Sequence, residues 1–260
     1  MVEIVNHAKR TLDAGGLALG VGLRQARTAD IGKAMKTAGY DWLFIDMEHS
    51  AIGLDDATQI AVAAQDAGIT PIVRVPGYAH HHASRALDCG AQGIVFPHVS
   101  DGETAARVAS YCRYPPEGRR SVAGAPPQLG FAVYPVAEAA AAVNASTLVV
   151  VMVETPEAVE NADAIAAAPG VDVVLIGSND LCMEMGIPGQ FEHPRLEDAY
   201  RRVAEACRCH GRYLGMGGVY APAQMRKYLG IGARLVLAGS DFSFMMAAAR
   251  NQAADVRGMV

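Results

Sequence analysis

Eight short apolar runs punctuate this chain: LALGVGL (17–23), WLFIDME (42–48), TPIVRV (70–75), GIVFPHV (93–99), TLVVVMVE (147–154), VDVVLIG (171–177), YLGMGGV (213–219) and RLVLAGS (234–240). They are continuously apolar rather than alternating, the pattern of strands covered on both faces. Helical patterns fill the intervals: TADIGKAMKTAG, LDDATQIAVAAQDAG, HHASRALDCG, GETAARVASYCR, TPEAVENADAIAAA, HPRLEDAYRRVAEACRCHG, APAQMRKYLGIG and DFSFMMAAARNQAADV. Several close on Gly, a frequent helix C-cap. Eight strand–helix units predict an α/β fold, a single-domain (β/α)8 TIM barrel over residues 1–260. The competing architecture, a doubly wound open sheet, more often carries a Gly-rich phosphate loop after its first strand; here RQARTAD follows. The longest connection, YPPEGRRSVAGAPPQLGFAVYP (114–135), joins the fourth and fifth strands and is rich in Pro and Gly. Loops of that length are usually functional, so it is expected at the barrel mouth or at a subunit contact.

Composition narrows the function. The chain has the size of one barrel, and 51% apolar residues suit a large sheet-and-helix core. A net charge of −5 gives no electrostatic reason to expect nucleic acid. MVEIVNHAKRTLDAGG carries charges throughout and has no apolar signal core. No run approaches the roughly 18–20 apolar residues that span a bilayer, so a cytoplasmic protein without a membrane partner is expected. The five cysteines are scattered and odd in number, which does not read as a disulfide framework. Cys207-Arg208-Cys209-His210 has one residue between its cysteines and no second ligand pair, so these are ordinary helix residues. His80-His81-His82, three in a row, face three directions of a helix start.

Active sites of such barrels lie at the carboxyl ends of the strands. Those ends read Asp46-Met47-Glu48-His49, Arg74, Pro97-His98, Glu154-Thr155, Gly177-Ser178-Asn179-Asp180, Gly215-Met216-Gly217-Gly218 and Gly239-Ser240-Asp241. Glu154 and Asp180 close consecutive runs and converge on one site. Two carboxylates there suit a hard divalent cation, Mg2+ or Mn2+ first and Co2+ or Zn2+ as further candidates, with positions left for a chelating substrate. Each has an ordinary alternative as a helix cap, with Thr155-Pro156 also forming an N-cap and first helical position. The pair on adjacent strands favours the metal.

Arg74 interrupts TPIVRVPG, and a charge inside a buried strand needs an anion, either a substrate oxyanion or a barrel carboxylate. His49 directly follows a strand, where an imidazole reaches the mouth and titrates near neutrality. Asp46 and Glu48 are placed to orient it or to hold metal-bound waters. Backbone N–H groups at Gly177, Ser178 and Asn179 open a helix and suit a carboxylate.

These residues resemble the HpcH/HpaI aldolase/citrate lyase family. The resemblance is carried by I-D-x-E-H (45–49), P-x-V-R (71–74), Gly90-Ala91-Gln92, RYPPEG-x-R (113–120), V-x-V-E-T (151–155), Glu160-Asn161, I-G-x-x-D-L (176–181), G-x-P-G (186–189) and His193-Pro194. It implies a metal-dependent (class II) aldolase that cleaves and forms 4-hydroxy-2-oxo acids from pyruvate, or a related 2-oxo acid, and an aldehyde. By that resemblance Glu154 and Asp180 hold the metal, and Arg74 steadies the keto oxygen and the enolate. The backbone of Gly177–Asn179 holds the carboxylate, and His49 moves the proton of the C4 hydroxyl. Asp88 matches an acid that pairs with the histidine. The third helix runs away from its own mouth, so Asp88 is expected from a neighbouring subunit of a homo-hexamer, a dimer of trimers exchanging the eighth helix. No lysine lies inside a predicted strand, consistent with chemistry that uses no Schiff base. The alternative is a citrate-lyase-β or malyl-CoA-lyase-like enzyme acting on a CoA thioester, although the chain has no obvious basic patch for a CoA phosphate. Three departures stand out: Met152 where many members have Gln, Gly20-Val21-Gly22 where some have Trp, and G-S-N-D for the more usual G-P-A-D. Leu23-Arg24-Gln25, at the end of the first strand, offers a second candidate anion contact at the mouth.

Overall fold

The computed structural model describes residues 2–259. Strands β1 (Ala18–Leu23), β2 (Trp42–Asp46), β3 (Thr70–Arg74), β4 (Gly93–Phe96), β5 (Leu148–Val153), β6 (Val173–Gly177), β7 (Tyr213–Gly217) and β8 (Ala233–Ser240) form a closed barrel in chain order. Every neighbouring pair is parallel, β8 to β1 included. All eight fall on the apolar runs. The helices are α1 (His7–Asp13), α2 (Ile31–Thr37), α3 (Leu54–Asp66), α4 (His80–Asp88), α5 (Gly102–Ser110), α6 (Val136–Ser146), α7 (Pro156–Glu160), α8 (Ala162–Ala167), α9 (Ser178–Glu184), α10 (Pro194–Cys209), α11 (Pro222–Ile231) and α12 (Asp241–Arg257). No helix among them is long and apolar enough to cross a membrane.

The period of each pattern explains its burial. On α10, Leu196, Ala199, Tyr200, Val203, Ala206 and Cys207 are buried, the i, i+3, i+4 stripe of a helix lying on a sheet. Cys209 lies exposed on the other face and His210 caps the helix, so among the described residues the cysteine pair belongs to no metal-holding cluster. TPEAVENADAIAAA forms two helices rather than the one expected. They meet at Asn161, whose Nδ2 donates to the Ser100 carbonyl at 2.8 Å.

Inside the barrel, alternate strand residues point inward and pack as Trp42, Phe44, Ile72, Val150 and Leu175, with Met152 above. Trp42 fits only because β1 carries glycine: a Cβ on Gly20 would stand 2.1 Å from the indole. Helix α1, absent from the pattern reading, closes the floor with Ala8 and Leu12. Alone it is too short to persist in water. Asn6 ties it down by donating to the carbonyls of Gln92 and Ser146, and Thr70 Oγ1 accepts the Ala8 N–H.

The 114–135 connection does not lie at the mouth, the first of the two places expected for it. Its contacts within the chain lie at the floor, away from the mouth. Gln128 Nε2 donates to the carbonyls of Leu87 and Ala91, at the far end of α4, and the segment runs on into α6 and the start of β5. Arg113 of the RYPPEG motif is buried there, donating to the carbonyls of Asn144 and Thr147 and pairing with Asp172 at 2.5 Å. That motif holds the floor together. Helix α12 buries none of its residues, and Phe242, Met245 and Val256 are exposed.

Candidate active site

The mouth is built around a buried carboxylate. Asp46, the last residue of β2, is 0% exposed and pairs in register with Arg74, the last of β3. Arg74 Nε and Nη2 donate to the two Asp46 oxygens at 2.9 and 2.7 Å. Such a bidentate pair is the arrangement that makes two buried charges tolerable. Burial raises the Asp46 carboxyl, but the hydrogen bonds and charge of Arg74 outweigh it and hold the group below the usual carboxylate range. The ordinary alternative for Arg74, an ion pair within the barrel, is therefore part of what the structure shows. Two hydrogen bonds occupy only two of its five N–H donors, and Arg74 also lines the mouth pocket. Its Nη1 approaches Glu48 Oε2 at 2.9 Å as a charge contact without hydrogen-bond alignment. The guanidinium lies 5.0 Å above the Phe44 ring.

Asp46 has a second task. Its Oδ1 accepts the backbone N–H of Glu48 and of His49 at 3.1 Å, folding the chain after β2 into a tight turn. It thus positions His49 through the backbone and not through the imidazole. His49 itself is half exposed, lines the pocket, and has Nε2 3.8 Å from Glu48 Oε2.

Glu154 follows β5 and is 1% exposed. It is no helix cap: Thr155 performs that role, its side chain accepting the Ala158 N–H. Glu154 Oε2 accepts the His98 backbone N–H at 2.8 Å and lies 3.1 Å from His98 Nδ1. Oε1 has no hydrogen-bond partner. Burial pushes the Glu154 carboxyl up to about 7; His98 pulls it back, and the nearby charge of Asp180 adds to the rise. Asp180 sits in the first turn of α9 and lines the same pocket as Gly177, Ser178 and Asn179. The Ser178 hydroxyl is taken by the buried Tyr200 phenol at 2.8 Å, so Ser178 offers its backbone alone.

These features test the fit of a divalent cation. Among the described residues no group of three or more His, Cys, Asp or Glu is gathered as a cage. Glu154 Oε1 is nonetheless a buried carboxylate oxygen without a partner, and Asp180 is near enough to act on it. An oxygen left in that state is costly, and a hard cation bound by two carboxylates with open positions removes the cost. The donor set therefore fits the metal.

His98 is the residue whose role the sequence reading missed, although Pro97-His98 stood among the strand ends. Its backbone takes the left-handed conformation, φ 55°, rare for a residue with a side chain. Its ring spans from Glu154 to Glu48, with Nε2 3.3 Å from Glu48 Oε1. Asp241 is the other omission. Its carboxylate accepts three successive backbone N–H groups, those of Arg24, Gln25 and Ala26, and fixes the loop after β1. No sequence pattern marks an aspartate that closes a loop more than two hundred residues away.

Asp88 lies apart from this site. At the end of α4 it pairs with Arg120 at 2.7 Å, at the floor of the barrel. The pocket at the mouth encloses about 460 Å³, open space included, between Arg24, His49, Arg74, Asp180 and Tyr220.

Comparison with known proteins agrees with this geometry. The model of the HpcH/HpaI aldolase/citrate lyase family matches residues 24–248. A 4-hydroxy-4-methyl-2-oxoglutarate aldolase from Hapsidospora irregularis is 38% identical over 253 residues, covering 94% of this chain and 92% of the relative. A 5-keto-4-deoxy-D-glucarate aldolase from Salmonella arizonae is 34% identical over 81% of each chain. The crystal structure of an HpcH/HpaI aldolase from Desulfitobacterium hafniense superposes with a TM-score of 0.92, at 30% identity and 97% coverage of both chains.

Proposed function

The chain belongs to the HpcH/HpaI aldolase/citrate lyase family and is a carbon–carbon lyase; we propose that it is a divalent-metal-dependent aldolase joining pyruvate, or a related 2-oxo acid, to a carbonyl partner, and cleaving the resulting 4-hydroxy-2-oxo acid. The observation that carries this reading is the unpartnered, buried Oε1 of Glu154, within the electrostatic reach of Asp180 and packed against Gly177, which lines the mouth pocket with Asp180 and Arg74. Relatives named for 4-hydroxy-4-methyl-2-oxoglutarate and 5-keto-4-deoxy-D-glucarate, both 2-oxo acids, support it.

Glu154 and Asp180 would hold the cation, Mg2+ or Mn2+ by the hardness of its ligands, and when bound it would supply Lewis acidity to the 2-oxo acid. The backbone N–H groups opening α9 at Ser178 and Asn179 would orient the substrate carboxylate. Arg74, braced by Asp46, would donate to the keto oxygen and to the negative charge that develops on it. His49, held by the turn on Asp46, would take the C4 hydroxyl proton in cleavage and return it in synthesis. We also read the protein as a homo-oligomer, a hexamer in which α12 packs on a neighbour and Asp88 of one subunit serves His49 of the next. The support is that α12 buries none of its own residues.

The test is exchange of the pyruvate methyl protons with deuterated water, followed by NMR with and without Mn2+. Exchange should require the metal and vanish in Glu154→Ala and Asp180→Ala. Metal-free exchange, or exchange surviving both substitutions, would end the reading. Release of acetyl-CoA from malyl-CoA with no pyruvate released from any oxo acid would replace it with the thioester alternative. Sedimentation mass checks the assembly: the intact chain should run as a hexamer, and Met245→Glu should weaken it.

A further inference from the structure

Arg24 is a charged residue to which the proposed roles assign no task. The loop carrying it is unusually well held. Asp241, the first residue of α12, receives the N–H groups of Arg24, Gln25 and Ala26 at 2.7–3.2 Å, so the Arg24 backbone has little freedom. The side chain is half exposed and leans over the mouth, with Nε 3.3 Å from Asp46 Oδ2. That carboxylate already receives two hydrogen bonds from Arg74. Among the described residues the Arg24 guanidinium makes no hydrogen bond of its own. A planar fork of donors is thus held over the pocket while the one anion it meets among the described residues is committed to another arginine. Arg24 and Tyr220 border the pocket at one rim, on the loops after β1 and β7; Asp180 and Asn179 border it on α9.

We infer that Arg24 forms a second anion subsite, for a carboxylate carried by the carbonyl partner, so that the preferred acceptor is itself a carboxylate-bearing carbonyl compound such as a 2-oxo acid. This rests on the aldolase reading and specifies its substrate class. The chemistry balances without a further reagent. Pyruvate C3 loses a proton and bonds to the acceptor carbonyl carbon, and the acceptor oxygen gains a proton to become the C4 hydroxyl. The product carries two carboxylates, one at the α9 backbone and one at Arg24. Free guanidinium N–H groups suit the second carboxylate because both its oxygens can be met at once.

The experiment compares pyruvate addition to glyoxylate, which carries a carboxylate, with addition to glycolaldehyde, which does not, in the wild type, Arg24→Ala and Arg24→Lys. In Arg24→Ala, kcat/KM for glyoxylate should fall at least tenfold, chiefly through KM, while that for glycolaldehyde changes less than twofold. Arg24→Lys should recover part of the loss. An equal fall with both acceptors would make Arg24 a loop brace and overturn the subsite, as would no change with either. Failure of the wild type to add pyruvate to any acceptor would overturn the aldolase reading, and the subsite with it. Selective loss with retained glycolaldehyde activity supports both.

Discussion

Oε1 of Glu154 lies 2.5 Å from the point where a Cβ on Gly177 would stand. The carboxylate packs on the bare backbone of the neighbouring strand, at a glycine that itself lines the pocket, so the two residues make one feature. Gly177→Ala should displace the carboxylate. We expect a loss of about 1–3 kcal/mol in chemical denaturation, the range for overpacked interiors. Mn2+ affinity should fall at the same time. Wild-type affinity in a destabilised variant would show that Glu154 is free to move.

His98 holds the other oxygen of that carboxylate. Partners that orient ligating carboxylates are worth about 10–100-fold in metal affinity. His98→Ala should weaken Mn2+ binding by that amount, read from the free-ion signal in electron paramagnetic resonance without turnover. Added imidazole should restore part of it, since the ring position is half exposed.

Arg74 serves Asp46 and, in the proposed reaction, the keto oxygen. Arg74→Ala strips a fully buried carboxylate of its bidentate partner, leaving it the half-exposed Arg24 and two backbone N–H groups, and should cost up to about 3–5 kcal/mol of stability. Loss of an oxyanion donor costs about 10²–10³ in kcat. Arg74→Lys separates the two. It keeps the charge without the bidentate fork, so stability should recover more than kcat does.

The acidity of Glu154 predicts a pH profile. Its folded value stands near 7 against an ordinary 4.5, because burial disfavours the ionised form. Between those values the unfolded chain gives up the proton and the folded one keeps it. Metal-free protein should therefore lose stability as pH rises from 4.5 toward 7, by at most about 1.4 kcal/mol per pH unit. Glu154→Gln should flatten the profile in EDTA. Over the same window cation affinity should rise up to about tenfold per pH unit and then level off. Asp46 acts in the opposite sense. Its lowered value gives stability above the ordinary carboxylate range that is lost on further acidification.

Much of this was legible in the chain. Continuous apolar runs located all eight strands, because a doubly covered strand must be apolar throughout. Reading the strand ends brought Asp46, His49, Arg74, Glu154 and Asp180 together, because barrel topology points every such end the same way. The roles of His98 and Asp241 were not legible. Each depends on backbone conformation or on a contact between distant loops, and neither leaves a periodic trace. Helix α1 escaped because its few buried positions make sense only against a barrel floor that did not yet exist.

The chain contains a single tryptophan. Trp42 is wholly buried low in the barrel, its Nε1 donating to the Ala18 carbonyl at 3.1 Å. Its ring meets Phe44 edge-on at 6.2 Å, and Phe44 lies directly beneath Arg74. One aromatic ring thus separates the only indole fluorophore from the guanidinium at the mouth. Indole emission from this protein has one source, buried among apolar side chains, and a ligand that shifts Arg74 disturbs that source through Phe44. The enzyme carries its own optical reporter, viewing the site from below.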